Sequence, residues 1–565
     1  MARFYGIDLG TTNTVFYCGS FIPGDDEEGY SLTAQSFISD VSKARLGTSM
    51  PSALYIRDPE DDLKRKLVVG EDALANRWTG GRNTLFLLNT KREMGQDVDF
   101  GYGITPLKVA IAFLEKCYQS MKRPSLAKVC ITRPASYNIF ASADTTRAGE
   151  QAGFNPKNIS ALDEPKAALL SYLYDCMENE AEREDIFQKQ EENQGMLTFL
   201  IIDIGGGTTD VNVQSLRVGT VSEEQKDLTI YSNYAVEFIN RTGEKRSSAN
   251  NYHGFGGMDF DSKVARHLMK TLVNKYRDEM NGDLMQLSEK ELNEVRDKVI
   301  AGAERYKMKL SLCLPENVDT YQDDILLTDL YKGWSPTISL KASDYFSIVA
   351  DLCDNTMVDD SSSELSIYSI VYETLKKSGY KVTDLSFVLV TGGMSQCLPV
   401  KLMLQEKFET IKSKIVFSHT PLTDVARGAA VFGNYFHMTK PAAILNTNYY
   451  IDNPEGEPLL IAEDGDELPI PTDLKKGFLE LHSPVSITIA ILAGRSIYDS
   501  NLREVAKMRG VLEYPDDRGT KVDVRYSIAD DQSMTLDVII PHKHHESEVI
   551  TVTRSLDEVN SGREE

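Results

Sequence analysis

The sequence contains no hydrophobic run long enough to cross a membrane. Its longest apolar stretches are residues 199–202 and 487–493, the second interrupted by Thr488, whereas a membrane-spanning helix needs about 20 residues. The N-terminal segment reaches Asp8 before the apolar core of a signal peptide could form. Cysteine is also scarce: there are seven, with no C-x-x-C pair, which argues against a disulfide framework and a zinc knuckle. These absences predict a soluble cytoplasmic protein.

The sequence has fewer positively charged residues than negatively charged ones. The 565 residues carry 61 Lys and Arg against 85 Asp and Glu, which gives a net charge of −24. A chain this acidic repels phosphate backbones and anionic lipid, so neither nucleic acid nor a membrane surface is an expected partner. With 41% apolar residues, the chain has enough material for several packed cores.

Two regions differ in their residue pattern. Residues 1–440 alternate short apolar strands with amphipathic helices, which is typical of α/β domains. Within this region, Ser288 and Glu291 form a capping box that predicts a helix start, and the charged residues 178–193 predict a solvated helix or loop. Residues 441–565 alternate apolar and polar side chains with a period of two between turn residues. The second region is therefore expected to be an all-β module.

The strongest chemical signal is a pair of similar strand-turn-strand segments. One reads Gly6-Ile-Asp-Leu-Gly-Thr-Thr-Asn13 and the other reads Asp203-Ile-Gly-Gly-Gly-Thr-Thr-Asp210. Glycine lets backbone N–H groups approach an anion, threonine hydroxyls add donors, and a strand-end aspartate can hold Mg²⁺. One such segment could be an ordinary β-turn. Two with matching chemistry indicate a phosphate-binding site.

Other glycine patterns narrow the type of nucleotide site. No G-x-x-x-x-G-K-[ST] occurs, which excludes a P-loop. Residues 254–259 fail the dinucleotide pattern because Asp259 stands where its third glycine would be. A third strand runs into Gly392 and Gly393. Alone it could be a packing turn, but beside the two phosphate segments it is typical of the floor of a nucleoside site.

These motifs, in this order, resemble those of the seventy-kilodalton heat-shock chaperones of the DnaK type, within the actin-like ATPase superfamily. The two glycine segments are similar to the two phosphate motifs of that family. Further segments that resemble the family are residues 91–95, 131–135, 163–168, 256–261, 304–311 and 421–431, and in the β region 469–472, 478, 487–489, 494–495 and 501–502. The resemblance thus spans nearly the whole chain.

The resemblance implies an ATPase domain of two ribonuclease-H-like lobes over residues 1–440 and a peptide-binding sandwich over 441–565. It implies ATP or ADP with Mg²⁺ as cofactors, with the metal near Asp8 and Asp203. The catalytic residues that it implies are Lys91, Glu164, Asp203, Thr208 and Asp210. The nucleotide contacts that it implies are Gly10, Thr11, Thr12, Asn13, Gly205, Gly206, Gly207, Gly256, Gly257, Glu304, Lys307, Ser311, Gly392 and Gly393.

For the sandwich, the resemblance implies polypeptide clients held in one small apolar pocket. Phe478, Ile487 and Ile489 are the candidates for that pocket, although each could equally be a plain core residue. A nucleotide-exchange factor is a further implied partner. The alternative function is a nucleotide-switched scaffold whose sandwich holds one dedicated protein partner. A small-molecule kinase is the weaker rival, because we find no acceptor segment with its own base.

Several positions depart from the family pattern. Met308 stands where an arginine stacks on adenine, and Gln396 and Cys397 stand where a second arginine is expected, so weaker adenine discrimination is predicted. Ser160 replaces an arginine that contacts J-domain co-chaperones, which puts that partnership in question. The leucine-rich linker is largely lost at residues 442–449, and no helical lid is expected after the last strand. Retention of the phosphate and catalytic motifs nevertheless predicts an active ATPase.

Overall fold

Two α/β lobes and a β-sandwich follow one another along the chain. The structure, a computed structural model, describes residues 3–555 except 23–28, 62–64, 78–83, 123, 138, 223–225, 228, 240, 243–244, 247–249, 356–364, 440–444, 446, 464–465, 467, 495, 499–501, 514–518, 530–532 and 543–545. The predicted boundary at residues 440 and 441 lies outside these described residues. None of the helices within them is long and apolar enough to cross a membrane.

The strands and helices of the first lobe alternate as the sequence pattern predicts. Its strands are β1 (Arg3–Leu9), β2 (Asn13–Ile22), β3 (Gly29–Ala34), β4 (Ser49–Pro51), β5 (Ala53–Arg57), β6 (Lys66–Val69), β7 (Thr84–Leu88), β8 (Lys128–Arg133) and β9 (Ile159–Asp163). Its helices are α1 (Glu71–Asn76), α2 (Pro106–Ser120), α3 (Ile139–Gln151), α4 (Glu164–Glu178) and α5 (Glu180–Glu192). A short 3₁₀ helix, Thr90–Glu93, carries Lys91.

The second lobe repeats this mixture of strands and helices. Its strands are β10 (Leu197–Ile204), β11 (Thr209–Thr220), β12 (Tyr234–Ile239), β13 (Arg241–Thr242), β14 (Lys245–Arg246), β15 (Asn250–His253), β16 (Gln322–Leu326), β17 (Thr337–Lys341), β18 (Phe387–Thr391), β19 (Ile415–Phe417) and β20 (His437–Thr439). Its helices are α6 (Gly257–Met280), α7 (Glu289–Leu310), α8 (Ala342–Cys353), α9 (Ile367–Ser378) and α10 (Leu398–Lys407). The last helix, α11 (Asp424–Phe432), follows them in the chain but packs on β1 of the first sheet, where a Cβ on Gly6 would lie 2.2 Å from the backbone nitrogen of Ala430.

The two main sheets have the same topology. The first runs in the order β3-β2-β1-β8-β9 and the second contains the run β12-β11-β10-β18-β19. In each, three antiparallel strands are followed by two strands parallel to the first of them. The α/β fold with two similar lobes, expected from the sequence, is therefore confirmed, and each lobe places one glycine turn at the equivalent strand end.

Local signals in the sequence have mixed outcomes. The capping box is confirmed, because Ser288 and Glu291 exchange hydrogen bonds at the start of α7. The charged segment 178–193 is helical, as one of its two interpretations predicts. It is also anchored: Ile186 is buried, and the Gln190 side chain pairs with both the N–H and the carbonyl of Val218. This contact depends on a strand that is distant in sequence, so no local pattern predicts it.

Helices α4 and α11 cross at the junction of the lobes. A Cβ on Gly428 would lie 1.6 Å from the carbonyl oxygen of Ala167, so only glycine allows the backbones to approach this closely. Apolar side chains of both helices and both sheets pack around the crossing in one buried cluster. The lobes are therefore joined by a packed hinge at the base of the space between the two glycine turns.

The C-terminal region forms the predicted β-sandwich. Its strands are β21 (Asn448–Ile451), β22 (Leu459–Ala462), β23 (Ile470–Glu480), β24 (Ser486–Gly494), β25 (Arg503–Val511), β26 (Lys521–Ile528), β27 (Ser533–Ile540) and β28 (Glu548–Ser555). They form two four-stranded sheets, β22-β21-β24-β25 and β23-β26-β27-β28, over a shared apolar core. Leu445, in the segment where the sequence departs from the family's linker pattern, is buried in that core.

Candidate functional site

The two glycine turns face each other across the lobes. A Cβ on Gly206 would come within 2.4 Å of Thr12 Oγ1, and one on Gly207 within 2.7 Å of Thr11 Cγ2. The hydroxyls of Thr11 and Thr12 are buried, and neither has a hydrogen-bond partner among the residues that the structure describes. A buried hydroxyl without a partner is costly, so these two groups indicate a site for an added acceptor such as a phosphate oxygen.

A cleft of about 1210 Å³ opens at these turns, which is ample for a nucleotide. The predicted site residues that line it are Asp8, Gly10, Thr11, Thr12, Asn13, Lys91, Glu164, Asp203, Gly205, Gly206, Thr208, Asp210, Glu304, Lys307, Ser311, Gly392 and Gly393. Gly207, Gly256 and Gly257 are not among the lining residues. Instead, Gly257 N–H donates to the carbonyl of Gly205 (3.1 Å), so this segment supports the second turn from behind.

Acidic side chains converge on one lysine at the floor of the cleft. Lys91 Nζ forms a buried ion pair with Glu164, the first residue of α4. Asp8 comes from the end of β1, and Asp203 and Asp210 are opposite each other on β10 and β11. Each of the four carboxyl groups lines the same cleft as Lys91. If all of them ionise, the floor carries an excess of buried negative charge.

The pKa values of these groups reflect the excess of negative charge. Burial, reinforced by Glu164, raises the pKa of Asp210 to about 8. Burial also raises the pKa of Asp8 to about 7, against the lowering influence of Lys91. The pKa of Asp203 is well above its usual value, first through burial and then through Glu164 and Asp8. Burial alone would lower the pKa of Lys91, but Glu164 and Asp8 outweigh it and raise that pKa.

The donor set fits a magnesium nucleotide better than a free metal ion. Within the described ranges, no three His, Cys, Asp or Glu residues lie close enough together to hold a metal by themselves. Mg²⁺ usually keeps several waters and shares its remaining sites between one or two carboxylates and substrate phosphates. Asp8 and Asp203, which face the unpartnered threonine hydroxyls across the same cleft, suit that division.

Sequence reasoning missed two supports of the turns. The Ser52 hydroxyl donates to the carbonyl of Gly10 (2.7 Å), and its N–H donates to the carbonyl of Thr12 (2.8 Å), so one residue holds both ends of the first turn. Arg92 donates to the carbonyl of Gly207 in the second turn. Arg92 could have been found from the sequence, because it directly follows Lys91. Ser52 carries none, because its contacts are with residues distant in sequence.

The part of the cleft at α7 carries apolar side chains as well as polar ones. Lys307 Nζ is 2.6 Å from Asp261 Oδ2, and burial raises the pKa of that carboxyl to about 6 despite this partner. Met308 lies one residue further along α7, with 63% of its surface exposed, and lines the cleft with Leu312 and Leu422. The end expected to hold a base is thus bordered by apolar side chains.

The three candidates for a peptide pocket have a different environment. Ile487 and Ile489 are buried in the core between the sandwich sheets, and Phe478 is partly buried against that core. These contacts fit the alternative considered for each residue, namely that it belongs to the core of the sandwich. Their role in peptide binding stays a prediction.

Duplicated α/β lobes, glycine turns that face each other across a cleft and an appended sandwich define a protein of the actin-like class. Residues 89–225 match the family model described as Hsp70 protein. The chaperone protein DnaK of Psychrobacter cryohalolentis is 24% identical over 475 residues, a match that covers 79% of this chain and 60% of the relative. The chain is therefore similar to Hsp70 proteins in both comparisons. It spans about 60% of the length of the curated relative that it matches.

Proposed function

We propose that this protein is an ATP-hydrolysing molecular chaperone that couples its nucleotide state to the binding of polypeptide clients by the sandwich. The observation that carries the ATPase part is the buried ion pair of Lys91 and Glu164 beneath two facing turns whose threonine hydroxyls have no partner among the described residues. These groups together match what a nucleotide with charged phosphates requires: donors above, a cation-binding carboxylate set below and a lysine beside the terminal phosphate.

In this mechanism the glycine turns hold the β- and γ-phosphates, and Thr11, Thr12 and Thr208 donate hydrogen bonds to them. Mg²⁺, when bound near Asp8 and Asp203, would neutralise phosphate charge. Lys91 steadies the γ-phosphate and the attacking water. The water oxygen bonds to the γ-phosphorus, the bond to the ADP oxygen breaks, and a nearby carboxylate takes the proton of the water. Catalysis here is chiefly positioning and charge stabilisation.

Glu164 and Asp210 are the proposed groups that orient this water and accept its proton. Glu164 is fixed by Lys91, and Asp210 accepts the N–H of Ala135 at 3.2 Å. That contact joins Asp210 to the strand end after β8, which carries the proline of the segment resembling the family's switch. The arrangement couples the carboxyl at the phosphate end to the first lobe.

The experiment that tests the ATPase is single-turnover hydrolysis by Lys91→Ala. We expect the rate constant to fall by roughly a hundredfold or more, as for the loss of one charge-stabilising donor. Nucleotide binding should largely survive, because the glycine turns supply most contacts. Lys108→Ala, an exposed change on α2, is the control and should hydrolyse ATP normally. Unchanged turnover in Lys91→Ala would refute the assignment.

The proposed partners are client polypeptides and a nucleotide-exchange factor, in the cytoplasm. The second candidate function, a nucleotide-switched scaffold with one dedicated partner, is favoured by the burial of Ile487 and Ile489 in the sandwich core. A peptide array probed with the full chain separates the two. Recognition of many apolar peptides supports the chaperone, and silence across the array supports the scaffold.

A further inference from the structure

The wall of the cleft opposite the phosphate end is a segment that leads into helix α11. Residues 418–423, here named the base-side loop, line the cleft between β19 and α11. Helix α11 crosses α4, and α4 begins at Glu164, the partner of Lys91. The loop and the catalytic ion pair therefore stand on two helices that are packed directly against each other.

One side chain connects these two helices to the loop. The Arg427 guanidinium forms two hydrogen bonds with the carboxylate of Asp175 on α4, one of them 3.0 Å from Nη1 to Oδ2. Its Nη1 also lies 2.6 Å from Oγ1 of Thr420, in the base-side loop. We name this set of contacts the Arg427 bridge. A planar guanidinium that holds a carboxylate at two points fixes geometry as well as charge.

A second carboxyl extends the bridge to the glycine segment of the nucleoside end. Asp424 accepts hydrogen bonds from Thr420 (2.6 Å) and from Thr391 (2.5 Å). Thr391 is the last residue of β18, directly before Gly392, and it is paired in register with Asp203. The base-side loop and the glycine loop are thus tied to one buried carboxyl, and through Arg427 to helix α4.

From these contacts we infer that Arg427 is a positioning residue for the nucleoside half of the nucleotide. It holds the base-side loop at a fixed distance from the helix that carries Glu164. The helix crossing itself is secured by close backbone packing at Gly428, so the bridge is not needed to hold α4 and α11 together. Loss of the bridge should release the loop while leaving the phosphate end unchanged. The inference rests on the proposed nucleotide-binding function.

The test compares ADP release with the chemical step in Arg427→Gln and Asp175→Asn. Asp175 is about half exposed, so its amide variant keeps the fold, which a thermal melt verifies. Stopped-flow release of fluorescent ADP should become roughly tenfold faster in each variant, because a hydrogen bond to a charged group is lost. Single-turnover hydrolysis at saturating ATP should stay within twofold of wild type. The double variant should release ADP no faster than Arg427→Gln, because both changes break one bridge.

Arg217→Gln, which alters an exposed ion pair with Glu237 on the second sheet, is the matched control and should behave as wild type. Unchanged ADP release in both bridge variants would overturn the inference. An equal loss of ADP retention and of the hydrolytic step would also overturn it, because it would show general damage to the site. A wild-type protein that binds no nucleotide would instead refute the proposed function.

Discussion

At the scale of single residues, two carboxyl groups at the floor of the cleft have pKa values close to neutral pH. Asp210 and Asp8 have pKa values of about 8 and about 7, whereas the same groups in an unfolded chain ionise near 4. The folded protein therefore holds more protons than the unfolded chain between those limits. By linkage, its stability decreases as the pH rises from about 4 through 8.

This gives a prediction for the nucleotide-free protein. We expect the melting temperature of the lobes to fall by a few degrees between pH 6 and pH 8, because both carboxyls ionise in a buried site. Asp210→Asn should reduce that fall, since the amide does not titrate. Calorimetry at both pH values measures it. A melting temperature that rises toward pH 8 would contradict this account of the floor.

The residues of the floor could be named from the sequence because each lies in a segment that resembles a phosphate or catalytic motif of the family. Lys91, Glu164 and Asp203 are of this kind, and the structure brings all three together. Arg427 and Ser52 could not be found in that way. Their partners are hundreds or tens of residues away, and a lone arginine or serine carries no periodicity that points to a contact.

At the scale of elements, the close approach of the two glycine turns is the most demanding feature. Any side chain at Gly206 meets Thr12 on the other lobe. The sequence predicted the turns and their chemistry, but their contact depends on how two sheets are placed by the crossing helices. The distance between the turns is therefore a property of tertiary packing that no local pattern contains.

We predict that Gly206→Ala weakens ATP binding by at least tenfold, because its methyl group would lie 2.4 Å from Thr12 Oγ1 and force the turns apart. Gly219→Ala is the matched control. That glycine is on β11, in the same sheet, and an added Cβ there meets nothing within 4 Å. Isothermal titration with ATP provides the comparison. Equal affinities in the two variants would show that the turns do not clasp the phosphates.

A second element-scale prediction concerns helix α7. Met308 offers a thioether where a cation would stack on the base, so Met308→Arg should tighten ATP binding by the ~0.5–2 kcal/mol of a cation–π contact. Leu314→Arg adds the same charge at another exposed site and should have no such effect. Titration with ATP and GTP measures both variants. A wild-type preference for ATP over GTP of several orders of magnitude would contradict a loosely held base.

At the scale of the whole molecule, the sandwich contacts the first lobe next to the segment that carries Lys91. Arg503, the first residue of β25, donates to the carbonyl of Gly95 at 3.1 Å. Gly95 ends the segment that begins at Lys91. The period of two predicted an all-β module and the resemblance implied a sandwich, but neither indicated which face packs toward the lobes, because an arginine on a strand has many possible partners.

We expect Arg503→Ala to remove this contact and loosen the backbone near Gly95. Backbone amides near residue 95 should exchange with deuterium several-fold faster, because the carbonyl loses a charged donor that ties the loop to the sandwich. Arg509→Ala, an exposed position on the same strand, is the control and should leave that exchange unchanged. Hydrogen–deuterium exchange read by mass spectrometry gives the result. Identical protection in wild type and Arg503→Ala would mean that the contact contributes nothing in solution.

Under the proposed function, the equivalent sheets also determine how a bound nucleotide would be released. Each lobe supplies one turn, so neither lobe alone would enclose the phosphates. A bound nucleotide would therefore stabilise the closed arrangement, in which the two turns are close together. The free energy that favours the closed arrangement is then part of every measured nucleotide affinity. A partner that prefers the open arrangement by 1.4 kcal/mol would weaken nucleotide binding about tenfold. Such a partner could act from the outer surface of either lobe, without ever touching the nucleotide.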